Sequence, residues 1–93
     1  MSDRFVALGE YLKKKRQEKS LTQSAVARKL GYSSPQFVSN FERGVSSPPL
    51  QSLKILIDLY EIPQGEIMEL LLSEQEKFLK TKLFGKSSGW SAG

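Results

Sequence analysis

The chain has 93 residues, 39% of them hydrophobic, a net charge of +4, and neither cysteine nor histidine. This length fits one domain with a small core, and the missing residue types exclude disulfides, thiol metal sites and the commonest general base at neutral pH. Because there is also no glycine-rich phosphate loop, we expect that the protein is not an enzyme and has no cofactor or metal. Since there is no secretory signal and no apolar stretch long enough to cross a bilayer, we expect it to be cytoplasmic and to have no membrane partner.

The first predicted helix runs from about residue 4 to residue 18. Phe5, Leu8 and Leu12 recur at helical spacing, and Arg16 continues the same stripe. A charged residue at the end of an apolar stripe needs a partner, or its charged head must reach solvent. The neighbouring lysines either attract a polyanion or form a solvated helix face.

The second predicted helix lies in "LTQSAVARKLG", residues 21–31. Thr22 can cap its start with a hydroxyl, and Gly31 can take the left-handed conformation that ends a helix. Val26, Ala27 and Leu30 form one apolar stripe. A helix this short gains its stability from tertiary packing.

The third predicted helix starts at Pro35, with Ser34 as its cap, and ends at Gly44. Proline suits the first helical position because its missing N–H has no intrahelical partner there. At about 100° per residue, the side chains divide into two halves. One half carries Phe37, Val38, Phe41 and Glu42. The other half is polar and carries Gln36, Ser39, Asn40 and Arg43.

The fourth predicted helix covers about residues 50–60 and has two apolar stripes. The main stripe comprises Leu50, Leu53, Leu56, Ile57 and Tyr60. A second stripe, formed by Ile55 and Leu59, lies on the far side. Two apolar faces on one helix predict two packing partners.

Two further helices are predicted after Pro63. The string "QGEIMELLL" favours a short fifth helix, and the S-E-Q-E pattern of residues 73–76 is a capping box that predicts the start of a sixth. The sixth helix would cover residues 73–84. The Gly/Ser-rich residues 85–93 are predicted to be a disordered tail.

A capped helix, a glycine turn and a second helix with one polar face make a helix-turn-helix arrangement, in which the second helix can lie in the major groove of DNA. Glutamine and asparagine amides match the N6/N7 edge of adenine, and arginine matches the O6/N7 edge of guanine. Residues 1–46 carry nine Lys or Arg against four Asp or Glu, which fits a polyanionic partner. The polar half of the third helix could equally meet only water.

Residues 8–72 resemble the lambda-repressor/Cro-like helix-turn-helix family, also called XRE. The resemblance is carried by Arg16, "LTQ" at 21–23, "VARKLG" at 26–31, "VSNFERG" at 38–44 and the following "PPLQSL". It implies an all-α, compact five-helix DNA-binding domain over residues 1–72, with the helix-turn-helix at helices two and three and the sixth helix as an addition. It also implies binding of double-stranded operator DNA, generally as a homodimer on pseudo-palindromic sites.

The resemblance assigns roles to individual side chains. Base readout is implied for Gln36 and Asn40, with Pro35 and Ser39 beside them. Phosphate contacts are implied for Thr22, Gln23, Arg43, Ser46 and Ser47, and as a second role for Arg16. Arg16 and Glu42 match a pair that is typically an ion pair between helices one and three. Phe37 occupies a position that is often small and polar, and it could pack on helix two or touch a thymine methyl.

Further apolar residues exceed what a five-helix monomer needs to bury, and we interpret them as candidates for a homodimer interface. They are Ile55, Leu59, Phe78, Leu79, Leu83 and Phe84. In the alternative, the sixth helix folds back and covers Ile55 and Leu59 within one chain.

The leading hypothesis is a sequence-specific transcriptional regulator that represses by occupying an operator, although repression over activation rests on analogy with the fold. The alternative hypothesis is a protein-interaction module, either an antitoxin or an adaptor. Its protein partner would bind through the C-terminal helix.

Overall fold

Five helices joined by short turns make up the computed structural model, which describes residues 5–85. No strand occurs in that range. The helices are α1 (Val6–Glu18), α2 (Gln23–Leu30), α3 (Gln36–Glu42), α4 (Leu50–Tyr60) and α5 (Gln64–Phe84). The predicted all-α fold with a helix-turn-helix at helices two and three is therefore confirmed. Residues 86–93 of the predicted disordered tail lie outside the described residues.

Helix α2 begins and ends where its capping residues predict. The Thr22 Oγ1 accepts a hydrogen bond from the Ala25 N–H at 3.0 Å, which satisfies one of the unpaired donors of the first turn. Gly31 has a φ of 83°, the left-handed conformation that costs glycine little. These two local signals fix the helix between them.

Helix α3 begins one residue later than the sequence predicts. Pro35 is its N-cap, since the Pro35 carbonyl accepts the N–H of Ser39 at 3.0 Å, and the Ser34 Oγ accepts the N–H of Gln36 at 3.0 Å. The helix therefore opens at Gln36 and contains only seven residues. Two turns of helix are not stable alone, so packing must hold α3 in place.

The core collects apolar side chains from all five helices. Helix α3 packs against α1 and α2, while α1 also contacts α5 and α2 contacts α4. The buried residues are Leu8, Leu12, Val26, Ala27, Val38, Phe41, Leu53, Leu56, Tyr60, Ile62 and Ile67. Leu50, expected in the main stripe of α4, is instead 82% exposed, because it is the first residue of that helix and precedes the turn that meets the core.

Gly9 allows the backbones of α1 and α3 to approach closely. A Cβ atom at this position would lie 2.4 Å from the Phe41 carbonyl oxygen and 2.6 Å from that of Glu42. Glycine weakens a helix interior by about 0.5–1 kcal/mol relative to alanine, so its place here is explained by packing. The C-terminal end of α3 lies directly on α1 without a side chain between the two backbones.

The predicted fifth and sixth helices are one continuous helix, α5, of 21 residues. The capping box at residues 73–76 does not begin a helix, because a cap needs non-helical backbone and the leucines at 70–72 are strong helix formers that carry the helix through Ser73. Neither glycine nor proline interrupts residues 66–84. The expected domain boundary at residue 72 therefore falls inside a helix.

The first half of α5 is tied to α1 by polar contacts. The Glu74 Oε2 accepts the N–H of Leu8, in the first turn of α1, at 3.1 Å, where an anion also complements the positive end of the helix dipole. The Tyr11 hydroxyl donates to Glu66 Oε1, and the Lys15 Nζ lies 3.4 Å from the same oxygen. Among the helices of residues 5–85, α5 included, none has the length and apolar character of a membrane span.

Candidate nucleic-acid interface

The turn between α2 and α3 is held rigidly by Tyr32. Its N–H donates to the Ala27 carbonyl at 2.9 Å, and its hydroxyl lies 3.0 Å from the Ser52 Oγ on α4. Its ring stacks on Phe37, with centroids 4.6 Å apart and planes at 24°. Sequence reasoning missed this role, although an aromatic residue in a tight turn was the available signal.

Helix α3 has one buried side and one open side. Val38, Phe41 and Glu42 are buried against the neighbouring helices. Gln36 and Arg43 are exposed on the opposite side, with Ser39 and Asn40 half-buried between them. Pro35 is exposed at the start of the helix. The packing thus presents the predicted base-reading residues on one outward surface.

The polar side chains of α3 form a hydrogen-bonded row centred on Asn40. The Asn40 Oδ1 accepts from Gln36 Nε2 at 3.0 Å and from Arg43 Nη2 at 2.7 Å. Both lone pairs of that oxygen are engaged, so the Asn40 amide offers a ligand chiefly its donor group. Within residues 5–85 the Gln36 Oε1 has no hydrogen-bond partner, and Gln36 can both donate and accept.

Arg16 and Glu42 form a buried ion pair that joins α1 to α3. The Arg16 Nε lies 2.6 Å from Glu42 Oε2, and Nη2 lies 3.1 Å from Oε1. The hydrogen bond to Glu42 raises the pKa of Arg16, against the opposing effect of burial. Burial, followed by the Glu42 charge, also raises the pKa of Tyr60. The guanidinium remains charged at any pH at which the protein folds.

Arg16 is enclosed by the protein. Its third nitrogen, Nη1, donates to the Leu21 carbonyl at 2.7 Å, and the residue is only 9% exposed. All three nitrogens donate within the chain, and these bonds use three of the five N–H groups of the guanidinium. Arg16 therefore has a structural role in the fold, and its phosphate contact stays a prediction.

Gln23 links the start of α2 to the same carboxylate. Its Nε2 donates to Glu42 Oε1 at 2.9 Å, and the side chain is half-buried. Thr22 beside it is exposed, and since its oxygen accepts the capping bond, its hydroxyl hydrogen can still be donated. Arg16, Gln23 and Glu42 together set the position of α3 against α1 and α2.

The residues after α3 continue the open surface. The Asn40 carbonyl accepts the N–H of Val45 at 3.0 Å and that of Ser46 at 3.4 Å, which folds the chain back against the end of the helix. Ser46 is half-buried and Ser47 is exposed. They lie three and four residues after the exposed Arg43, beyond the C-terminal end of α3.

The candidate dimer residues lie on two separate helices. Ile55 on α4 is 38% exposed, whereas Leu59 is half-buried against the core. On α5, Phe78 is half-buried, and the remaining three are exposed: Leu79, Leu83 and Phe84. Covering Ile55 and Leu59 by a folded-back segment requires a chain reversal near residue 73, and α5 is helical there.

The sequence model of the helix-turn-helix family matches residues 12–67, more than half of the chain. The match contains α2, the turn, α3 and α4, and it ends at Ile67 in the first turn of α5. Neither the search of curated proteins nor that of solved structures found a match to the chain.

Proposed function

The chain belongs to the lambda-repressor-like (XRE) helix-turn-helix family of DNA-binding regulatory domains, and on that premise we propose that it is a sequence-specific transcriptional repressor. It would act in the cytoplasm as a homodimer on a pseudo-palindromic operator. Repression would follow from occupying the operator and excluding polymerase. No catalytic step is needed for this activity.

The observation that carries the proposal is the division of α3 into two sides. Val38, Phe41 and Glu42 anchor one side in the protein, and Gln36 and Asn40 stand on the other. A helix held in this way can enter the major groove, where each base pair presents its own pattern of donors and acceptors. Amide side chains can pair with such a pattern, because they donate and accept at once.

We assign base readout to Gln36 and Asn40, with Pro35 and Ser39 beside them. Gln36 is the better placed for bidentate pairing with adenine, since Asn40 must exchange one of the two partners of its Oδ1 before it can accept from a base. Of the two, the Arg43 guanidinium would leave the Asn40 Oδ1, because a phosphate oxygen is a strong competing acceptor for it. Binding would then free the Asn40 amide as Arg43 turns to the backbone.

Phosphate contacts are assigned to the polar groups that flank α3. They comprise Thr22, Gln23, Arg43, Ser46 and Ser47, together with Arg16 in a second role. Such contacts supply most of the affinity and fix the orientation on the duplex, while base contacts supply discrimination. Gln23 donates one amide hydrogen to Glu42 and keeps a second, so one side chain can connect the reading helix to the DNA backbone.

Selection of bound fragments from a random DNA pool tests the proposal. We expect enrichment of a two-fold related sequence and, by fluorescence anisotropy, much tighter binding to that sequence than to a scrambled duplex. Affinity for both duplexes should fall steeply as salt rises, because counterions are released from the phosphates. Equal affinity for all sequences would contradict base readout.

A second candidate function, an antitoxin or adaptor, is favoured by the apolar side chains exposed along the end of α5. In this case a different protein would bind there, and DNA contact would be secondary. A chain ended after residue 76 separates the two functions. Loss of a protein partner with operator affinity unchanged would favour the adaptor.

A further inference from the structure

Four exposed apolar side chains form a stripe along α5, on the side turned away from the core. We call Met68, Leu72, Leu79 and Leu83 the outer stripe; each is between 44% and 67% exposed. At about 100° per residue they fall within about 60° of one another around the helix axis, whereas the buried Ile67 lies about 100° from Met68 on the other side.

The outer stripe needs an occupant that residues 5–85 do not supply. It runs for about 22 Å along the helix at about 1.5 Å per residue. Gln75 lies on the same side between Leu72 and Leu79, so the outer stripe consists of two apolar pairs with one amide between them. Exposed apolar side chains grouped in this way on a charged helix typically mark an interaction surface. Leu79 and Leu83 were predicted from the sequence as dimer candidates, while Met68 and Leu72 were missed because the helix was expected to break at Ser73.

The spacing within the outer stripe is the same from either end. Its members are separated by four, seven and four residues. A second α5 running in the opposite direction would therefore present the same pattern, with Met68 facing Leu83 and Leu72 facing Leu79. All four side chains of each helix find an apolar partner in this arrangement.

The charges of α5 favour the opposite direction over the parallel one. Residues 64–76 contain four glutamates and no Lys or Arg, and residues 77–84 contain three lysines and no Asp or Glu. Parallel helices would place acidic beside acidic and basic beside basic. Antiparallel helices place each acidic half beside a basic half, and charges that flank an apolar seam are what set helix orientation.

One flanking pair makes this complementarity specific. Glu69 and Lys80 lie on the same edge of the outer stripe, and an antiparallel pair brings each edge against the same edge of its partner. Glu69 of one chain would then approach Lys80 of the other, twice in each dimer. Within one chain the Lys80 Nζ already lies 3.3 Å from Glu76 Oε2, so Lys80 would bridge two carboxylates.

We propose that α5 pairs in an antiparallel direction with α5 of a second copy of this chain, through the outer stripe. The proposal rests on the homodimer proposed above and specifies its surface and direction. The pair has a two-fold axis near Gln75, and the homodimer is formed without DNA.

Single-cysteine variants test the direction, because the chain has no cysteine of its own. Leu72→Cys labelled with ¹⁵N is mixed with unlabelled Leu79→Cys and treated with a short bismaleimide crosslinker, and the products are weighed by mass spectrometry. We expect the mixed dimer to predominate. Crosslinking of Leu72→Cys to itself and of Leu79→Cys to itself, without mixed product, would show a parallel pair and overturn the proposal.

Sedimentation tests the surface. Leu72→Glu should weaken self-association at least tenfold, whereas Leu50→Glu, at an even more exposed leucine on α4, should leave it unchanged. Glu69→Lys should also weaken it, and addition of Lys80→Glu should restore it. Circular dichroism of each variant establishes that the helices are retained.

The outcomes separate this proposal from the proposed function. A wild-type chain that stays monomeric, or a Leu72→Glu variant that still dimerises, overturns α5 pairing, even if selection yields a specific operator. A dimer that behaves as expected but binds all DNA sequences alike supports α5 pairing and contradicts the repressor.

Discussion

The Arg16 guanidinium on α1 holds the Glu42 carboxylate on α3 through two hydrogen bonds, of 2.6 Å and 3.1 Å. The pair has two structural roles. It neutralises the charge of Arg16, which continues the apolar stripe of α1 into the interior, and it fixes the last turn of α3. Gln23 donates to the same carboxylate at 2.9 Å, so three elements meet at Glu42.

Removing one partner of this pair should be costly. Arg16→Met leaves the Glu42 charge buried without its partner, and we expect it to lower the free energy of unfolding by about 3–5 kcal/mol. The double variant Arg16→Met with Glu42→Leu should lose clearly less than the sum of the two single variants. Urea unfolding measures all three. Additive losses would mean that the pair is not coupled.

Gly9→Ala should destabilise the protein although alanine is the better helix former. The added Cβ would lie 2.4 Å from the Phe41 carbonyl oxygen, so α1 and α3 must move apart, at a cost of about 1–3 kcal/mol. Gly65→Ala on α5 is the matched control, since nothing lies within 4 Å of its Cβ. It should be neutral or slightly stabilising in thermal unfolding. Equal effects of the two substitutions would argue against the close contact.

Asn40→Ala should relax recognition at one base position. On the selected operator we expect a loss of about 1–3 kcal/mol, the scale of a bidentate base contact, and almost none on a duplex changed at the contacted base pair. Arg43→Ala is the comparison, because a phosphate contact should weaken binding on every sequence. Anisotropy titrations measure both. A uniform loss for Asn40→Ala would remove it from base readout.

Phe37 is 47% exposed beside Gln36, held by its stack on Tyr32, and can touch a thymine methyl. Replacing that thymine with deoxyuridine should then cost about 0.8 kcal/mol, close to a fourfold change in affinity. Phe37→Ala should abolish the difference between the two duplexes. If Phe37 serves only to pack on the turn, its substitution will lower the unfolding temperature. The wild-type protein will then bind the thymine and deoxyuridine duplexes with equal affinity.

The Glu66 contacts predict how stability depends on pH. The hydrogen bond from Tyr11, followed by Lys15, lowers the pKa of Glu66 below its ordinary value of 4.5. A carboxyl with a lowered pKa contributes stability above its unfolded value, and that contribution is lost as pH falls through the lowered pKa. Glu66→Gln should therefore make the urea midpoint less sensitive to pH below 4.5. An unchanged slope would mean that the contact contributes nothing in solution.

Local signals in the sequence predicted the helices that they govern directly. Thr22 and Gly31 bound α2 because a cap and a left-handed glycine act on the backbone beside them. The two sides of α3 followed from helical periodicity, which is a property of spacing. The family resemblance added which side would face DNA, an assignment that the residues alone left open.

Contacts between residues that are distant in the chain could not be predicted from the sequence. Glu74 lies inside the S-E-Q-E string predicted to cap a sixth helix, but its carboxylate accepts the Leu8 N–H, 66 residues away, at 3.1 Å. The row from Gln36 through Asn40 to Arg43 was likewise hidden, because periodicity places side chains on one surface without saying which of them bond to each other.

With seven residues, α3 is not stable alone, and its main packing contacts are with α1 and α2 and with the turn that precedes it. The position of α3 is therefore set by residues outside the helix. If α3 reads an operator as proposed, then Gly9 and other positions that pack behind α3 would influence how well that operator is distinguished from similar sequences. Under the proposed function, substitutions behind α3 would then change sequence specificity while the base-facing side chains stay the same.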